Sequence, residues 1–118
     1  MKKIFLTLSF LFFCSLSFSQ TYKFGAISSS SVTAKSEGKI IITDKNVSFE
    51  SEGKTFNYDL VKNVNGIIYF TDGVMTHFLT ITEQKGSKKG FEYNYMINYQ
   101  MDKNMGGTNV IYWSKKTE

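Results

Sequence analysis

The sequence predicts an all-β domain: an antiparallel meander of about eight short strands, curled into a small barrel or folded as a sandwich. Three observations carry this. Apolar and polar residues alternate with period two over most of residues 20–118, as in Tyr22, Phe24 and Ala26 or Phe91 to Met101. Reversal dipeptides such as Glu52-Gly53, Asn65-Gly66 and Asp72-Gly73 punctuate those runs. No stretch carries a helical period of apolar residues. A meander of this kind hides its strand edges by closing on itself or by doubling over.

In chain order, Tyr22 to Ala26 opens the first strand, with Gly25 inside it as the mark of a bulge or bend. Ser28 to Ser31 reads as a joint, with Val32 and Thr33 extended beyond it. Lys39 to Thr43 (KIIIT) is an apolar strand closed by Asp44-Lys45-Asn46. Val47, Phe49 and Ser51 share one face of the next strand, and Phe56, Tyr58 and Leu60 share one face of the strand after Glu52-Gly53. Asn65-Gly66 is the strongest hairpin signal, because both residues tolerate the positive φ of a type I′ turn. Ile67 to Thr71 follows, Asp72-Gly73 turns it, and Val74 to Gln84 returns with Met75, His77, Leu79 and Ile81 on one side. Lys85 to Gly90 reads as a flexible basic hairpin tip. Phe91, Tyr93, Tyr95, Ile97, Tyr99 and Met101 form an apolar row expected to point inward, opposed by Glu92, Asn94, Asn98 and Gln100 and interrupted by Met96. Asp102 to Gly107 turns once more, and Thr108 to Ser114 closes the domain. Eight of the nine glycines, Gly38 before KIIIT among them, are read as lying at turns, with only Gly25 inside a strand.

Residues 1–19 read as a secretory signal peptide. Lys2 and Lys3 make the positive start, Ile4 to Leu16 the apolar run, and Ser17-Phe18-Ser19 the small-x-small cleavage pattern, so the exported form is expected to begin at Gln20. The apolar run is short for a membrane helix. A lipid anchor on Cys14 is disfavoured by the bulky Phe13 before it. Cleavage after Ser19 removes Cys14, the only cysteine, and with it any disulfide, thiolate metal site or cysteine nucleophile. Residues 20–118 then make one domain, secreted or periplasmic, held by packed apolar and aromatic side chains.

The formal charge of +4 falls to +2 when Lys2 and Lys3 leave with the leader. All fourteen basic residues are lysine. The guanidinium that reads phosphate and guanine bidentately is missing, which argues against a nucleic-acid partner.

No catalytic motif emerges. His77 is the only histidine, shares a face with Met75, Leu79 and Ile81, and reads as a hydrogen-bonded core or rim residue. A zinc site needs three or four ligands, more than one histidine and no cysteine supply. Glu50 and Glu52 are ordinary solvated carboxylates at a hairpin end rather than a hydrolytic pair. Asp102 to Gly107 begins like a calcium loop but has Trp113 where the closing glutamate belongs. Gly86 to Gly90 joins two strands, whereas a phosphate loop opens a helix. The expected reading is therefore without catalytic residues, metal or cofactor.

The leader ending in FSQ, followed by TYKF, by KIIITDKNVSF and by a closing aromatic strand, resembles the small exported β-rich proteins of Bacteroidetes. That resemblance rests on pattern and transfers no site residue. Lipocalin-like barrels are a looser likeness, without a clear Gly-x-Trp near the expected mature start.

Three functions are weighed. The first is a non-enzymatic binding or structural module for an envelope component, glycan or partner protein. The second is a small lipocalin-like carrier of an apolar ligand, disfavoured because a small eight-stranded barrel is filled by its own side chains. The third is a secreted enzyme using His77. The candidate contact residues are the aromatics Tyr93, Tyr95, Tyr99 and Trp113 and the tip lysines Lys88 and Lys89.

Overall fold

A computed structural model describes residues 19–101 and 109–117; the expected leader up to Phe18, the expected turn at Asp102 to Gly107 and Thr108, the expected start of the last strand, lie outside the described residues. Eight strands follow in order: β1 (Ser19–Ser29), β2 (Val32–Thr43), β3 (Asn46–Ser51), β4 (Lys54–Val64), β5 (Ile67–Thr71), β6 (Thr76–Lys88), β7 (Phe91–Gln100) and β8 (Asn109–Lys116). Each pairs antiparallel with the next. β8 returns to β1, with Phe24 opposite Ser114 and Ser29 opposite Val110, so the meander closes into a barrel. Closure satisfies the edge N–H and C=O groups that an open sheet of this size leaves to water.

Turn chemistry explains the strand boundaries. Four reversals are two-residue turns with both φ angles positive: Ser30-Ser31 (52° and 72°), Glu52-Gly53 (49° and 79°), Asn65-Gly66 (51° and 80°) and Lys89-Gly90 (50° and 83°). This is the type I′ geometry whose twist matches that of the flanking strands. The β2–β3 turn is tied by Thr43, whose Oγ1 accepts from the backbone N–H groups of Lys45 (3.2 Å) and Asn46 (3.0 Å).

Several expectations are corrected. Ser28 to Ser31 is no loose joint: Ser28 and Ser29 finish β1 and only Ser30-Ser31 turns. Val74 and Met75 belong to the β5–β6 loop, and the strand after it starts at Thr76. Lys85 to Lys88 continue β6, past a register shift between Glu83 and Gly86, which leaves Lys89-Gly90 as the whole turn. Gly38 and Gly86, expected at turns, lie inside strands.

The main core inside the barrel consists of Tyr22, Phe24, Ile40, Ile42, Phe70 and Ile97, joined by Val47, Ile68 and Leu79. Gly25 does mark a bulge. The shift between Phe24 and Ala26 moves the inward position from even to odd residues, so Tyr22, Phe24 and Ile27 all meet the main core while Ala26 joins a second cluster with Tyr93 and Trp113. Along β7 and β8, Ile97 faces Tyr112 in the core, and one step away Met96 faces Trp113. Successive residues alternate faces, which puts Met96 and Trp113 outside the barrel.

The aromatic row of β7 therefore divides. Tyr95, Ile97 and Tyr99 pack into the main core, Phe91 and Tyr93 pack in the second cluster, and Met101 is half-buried just beyond the strand. Two glycines admit the diverted rings. A Cβ on Gly25 would run into the ring of Phe91, and one on Gly86 into the hydroxyl of Tyr93.

Candidate functional site

The barrel interior is not completely filled. A cavity of about 370 Å³ lies among side chains from seven of the eight strands, every one except β2. Its apolar wall is Phe24, Ile27, Phe49 and Phe70. Phe49 is packed among the other rings, 5.9 Å from both Tyr58 and Phe70 and 5.8 Å from Tyr112. Phe56, 54 % exposed, also lines the cavity, which reaches solvent beside it.

His77 forms the polar end. Cross-strand pairing sets it opposite Phe70, and its ring stacks on Phe70 at 5.2 Å and on Tyr99 at 5.7 Å. It is 6 % exposed, and both ring nitrogens are engaged. Nε2 lies 3.2 Å from Asp72 Oδ2, and Nδ1 lies 2.8 Å from the hydroxyl of Tyr99. The short loop before β6 brings Asp72 there. Its other oxygen, Oδ1, accepts from the N–H groups of Val74 (2.8 Å) and Met75 (3.0 Å), while Thr71 Oγ1 accepts from Gly73.

These bonds set the charge of the chain. The N–H groups of Met75 and Val74, then His77, draw the Asp72 carboxyl down to about 2 from 3.8. It is an anion at neutral pH and accepts only. Burial pushes the Tyr99 hydroxyl above its ordinary 10.0, helped by Tyr58 and Asp72. Burial likewise raises Tyr112 to about 12, with Tyr99 and Tyr58 adding to the shift. Both phenols are neutral hydrogen-bonding groups rather than bases. Among the described residues, no Lys or Arg lines the cavity, and no three His, Cys, Asp or Glu side chains gather as metal ligands.

Of the six candidate contact residues, Tyr99 alone lines this cavity. Tyr95 packs edge-on against Tyr22 at 5.4 Å in the barrel wall. Tyr93, Trp113 and Lys88 are brought together outside: the two rings are 4.6 Å apart, Lys88 Nζ sits 4.8 Å over the indole, and Trp113 Nε1 donates to Ser28 Oγ at 2.8 Å. Both aromatics are 7 % exposed, so this group is a packed patch. Lys89 stands alone on the exposed β6–β7 turn. Glu52 is on the exposed β3–β4 turn and Glu50 half-buried on β3; neither approaches His77 within hydrogen-bonding distance. Tyr58 and Tyr112, which line the cavity, and Asp72, which reaches His77 from outside the lining, are polar residues of the site that the sequence reading passed over. The signal was the acid five positions before the lone histidine, across a turn short enough to fold it back. Comparison with protein-family models, with curated proteins and with solved structures returns no match for this chain.

Proposed function

We propose that the chain is an exported β-barrel that holds a small, flat, largely apolar molecule in its interior. The observation that carries this reading is the aromatic cavity of about 370 Å³ with hydrogen-bonding groups at one end, a size and a lining typical of small-ligand sites. It moves the carrier function ahead of the envelope-binding module: among the described residues the surface concavity of about 500 Å³ beside Lys85, Glu92 and Lys115 is lined mostly by charged and polar residues, and the candidate aromatics Tyr93 and Trp113 are packed on each other. The expectation that eight strands leave no room inside weighs less against this reading, given the space of about 370 Å³ bounded by Phe24, Phe49, Tyr58 and Tyr99.

Against catalysis stands the state of the Asp72–His77–Tyr99 chain. A nucleophile or base at its end would need a lowered pKa, and burial raises that of Tyr99. Export rests on the leader, Lys2 to Ser19.

The test is uptake of the neutral fluorescent probe N-phenyl-1-naphthylamine by the purified protein. Saturable emission enhancement is expected, weakened about tenfold or more by Ile27→Trp, which fills the cavity while circular dichroism reports an unchanged fold. A folded wild-type protein that takes up no probe overturns the reading. Intact mass of the exported form is expected to start at Gln20; retention of residues 1–19 or a lipid on Cys14 overturns the export assignment.

A further inference from the structure

Building on the reading of the cavity as a ligand site, we propose that its polar end is a hydrogen-bond acceptor. The ligand is then a flat aromatic molecule carrying a neutral hydroxyl or N–H group, in preference to one that brings only acceptors. The direction of every bond in the chain follows from its outer end. Asp72 Oδ1 is committed to the N–H groups of Val74 and Met75, and Oδ2 faces His77 Nε2 at 3.2 Å. A carboxylate has no proton to give, so Nε2 is the donor, and an imidazole with a single ring proton carries it there. Nδ1 is then bare. At 2.8 Å from it, the Tyr99 hydroxyl has to be the donor.

A phenol that has donated its one proton presents lone pairs alone. Tyr99 lines the cavity, and its oxygen is matched by a donor on the ligand. A carboxylate would meet those lone pairs with the Asp72 anion behind them and, among the described residues, no lysine in the lining to offset it. Among the described residues, neither the Tyr58 nor the Tyr112 hydroxyl is bonded to the Tyr99 oxygen. As rotatable phenols they serve either polarity, so they do not decide the preference. The aromatic wall of Phe49 and Phe70 fits a flat ring system.

Asp72 is on this view a positioning residue, acting on the ligand through His77 and Tyr99. Asp72→Asn makes the point sharply. The amide oxygen keeps the two loop N–H bonds, which turns the amide NH₂ toward Nε2. His77 then accepts at Nε2, carries its proton on Nδ1 and donates to the Tyr99 oxygen. The Tyr99 proton is released toward the cavity, and the acceptor becomes a donor.

The experiment titrates the purified protein calorimetrically with naphthalene, 2-naphthol and 2-methoxynaphthalene at pH 7.5. Wild type is expected to bind 2-naphthol about tenfold more tightly than either of the others, the worth of one well-made hydrogen bond. Tyr99→Phe should bring 2-naphthol down to the naphthalene level, and Asp72→Asn should close the gap between 2-naphthol and 2-methoxynaphthalene. If naphthalene binds but 2-naphthol gains nothing over it, or if folded Asp72→Asn keeps the wild-type gap, the acceptor proposal falls while the cavity reading stands. If folded wild type binds none of the three, both fall. Should Asp72→Asn fail to fold, the Tyr99→Phe comparison decides alone: an undiminished 2-naphthol preference overturns the proposal.

Discussion

His77 was legible as a buried, hydrogen-bonded residue because alternation put it beside Leu79 and Ile81 on the inward face of β6. Its partners were not legible. Asp72 reaches it only because the β5–β6 loop folds back on its own carboxylate, and Tyr99 stacks on it only through a register that the bulges of neighbouring strands set. The depressed pKa of Asp72 has a testable sign. Its folded value, about 2, is below the ordinary 3.8, so the stabilisation is complete above about pH 4 and is lost as pH falls toward 2. In urea titrations, wild type is expected to exceed Asp72→Asn in stability at neutral pH, with the difference shrinking over that acid window. Tyr112 works in the opposite direction. Its pKa, raised to about 12, makes the unfolded chain ionise first, so stability is intact below pH 10 and falls as pH rises toward 12. A near-ultraviolet tyrosinate titration should find a late-ionising phenol in the native protein that disappears in Tyr112→Phe.

At the level of hairpins, reversals ending in glycine were readable: Glu52-Gly53 and Asn65-Gly66 turn where the sequence says, with both φ angles positive. Ser30-Ser31 adopts the same geometry without any glycine. Nothing in a serine pair announces positive φ, and the turn exists because the β1 and β2 ladders on either side hold it, from Ser28 opposite Thr33 inward. The left-handed conformation costs an L-residue about 1–2 kcal/mol, part of which glycine gives back through its looser unfolded chain. Ser31→Gly is thus expected to raise stability by about 0.5–1 kcal/mol, measured by chemical denaturation. The basic segment Lys85 to Lys88 misled in the other direction. Its polar composition reads as a loop, yet the Glu83–Gly86 bulge lets the strand continue so that Lys88 covers Trp113.

For the molecule as a whole, the meander order and one-domain organisation followed from period-two patterning, while the cavity did not, because counting inward residues gives no measure of the space they leave. Stability should rest on the aliphatic end of the barrel. Ile97 is fully buried in the main core. Ile97→Ala is expected to cost about 2–5 kcal/mol in denaturant titrations, with unfolding still a single transition reported alike by Trp113 fluorescence and far-ultraviolet circular dichroism.

The pairing that closes the ring sets Tyr22 opposite Lys116, and Thr117 N–H donates to the carbonyl of Thr21 at 2.8 Å. It is the one seam whose two strands are far apart in the chain; all the others are hairpins between consecutive strands. Which seam is long-range is thus a property of connectivity and not of the barrel. A circular permutant that joins Thr117 to Gln20 by a short linker and opens the chain between Lys89 and Gly90 would turn β8–β1 into a local hairpin and make β6–β7 the pair that must meet last. Its native packing should match the parent's, while its refolding rate should report how much of the barrier belongs to bringing distant strands together.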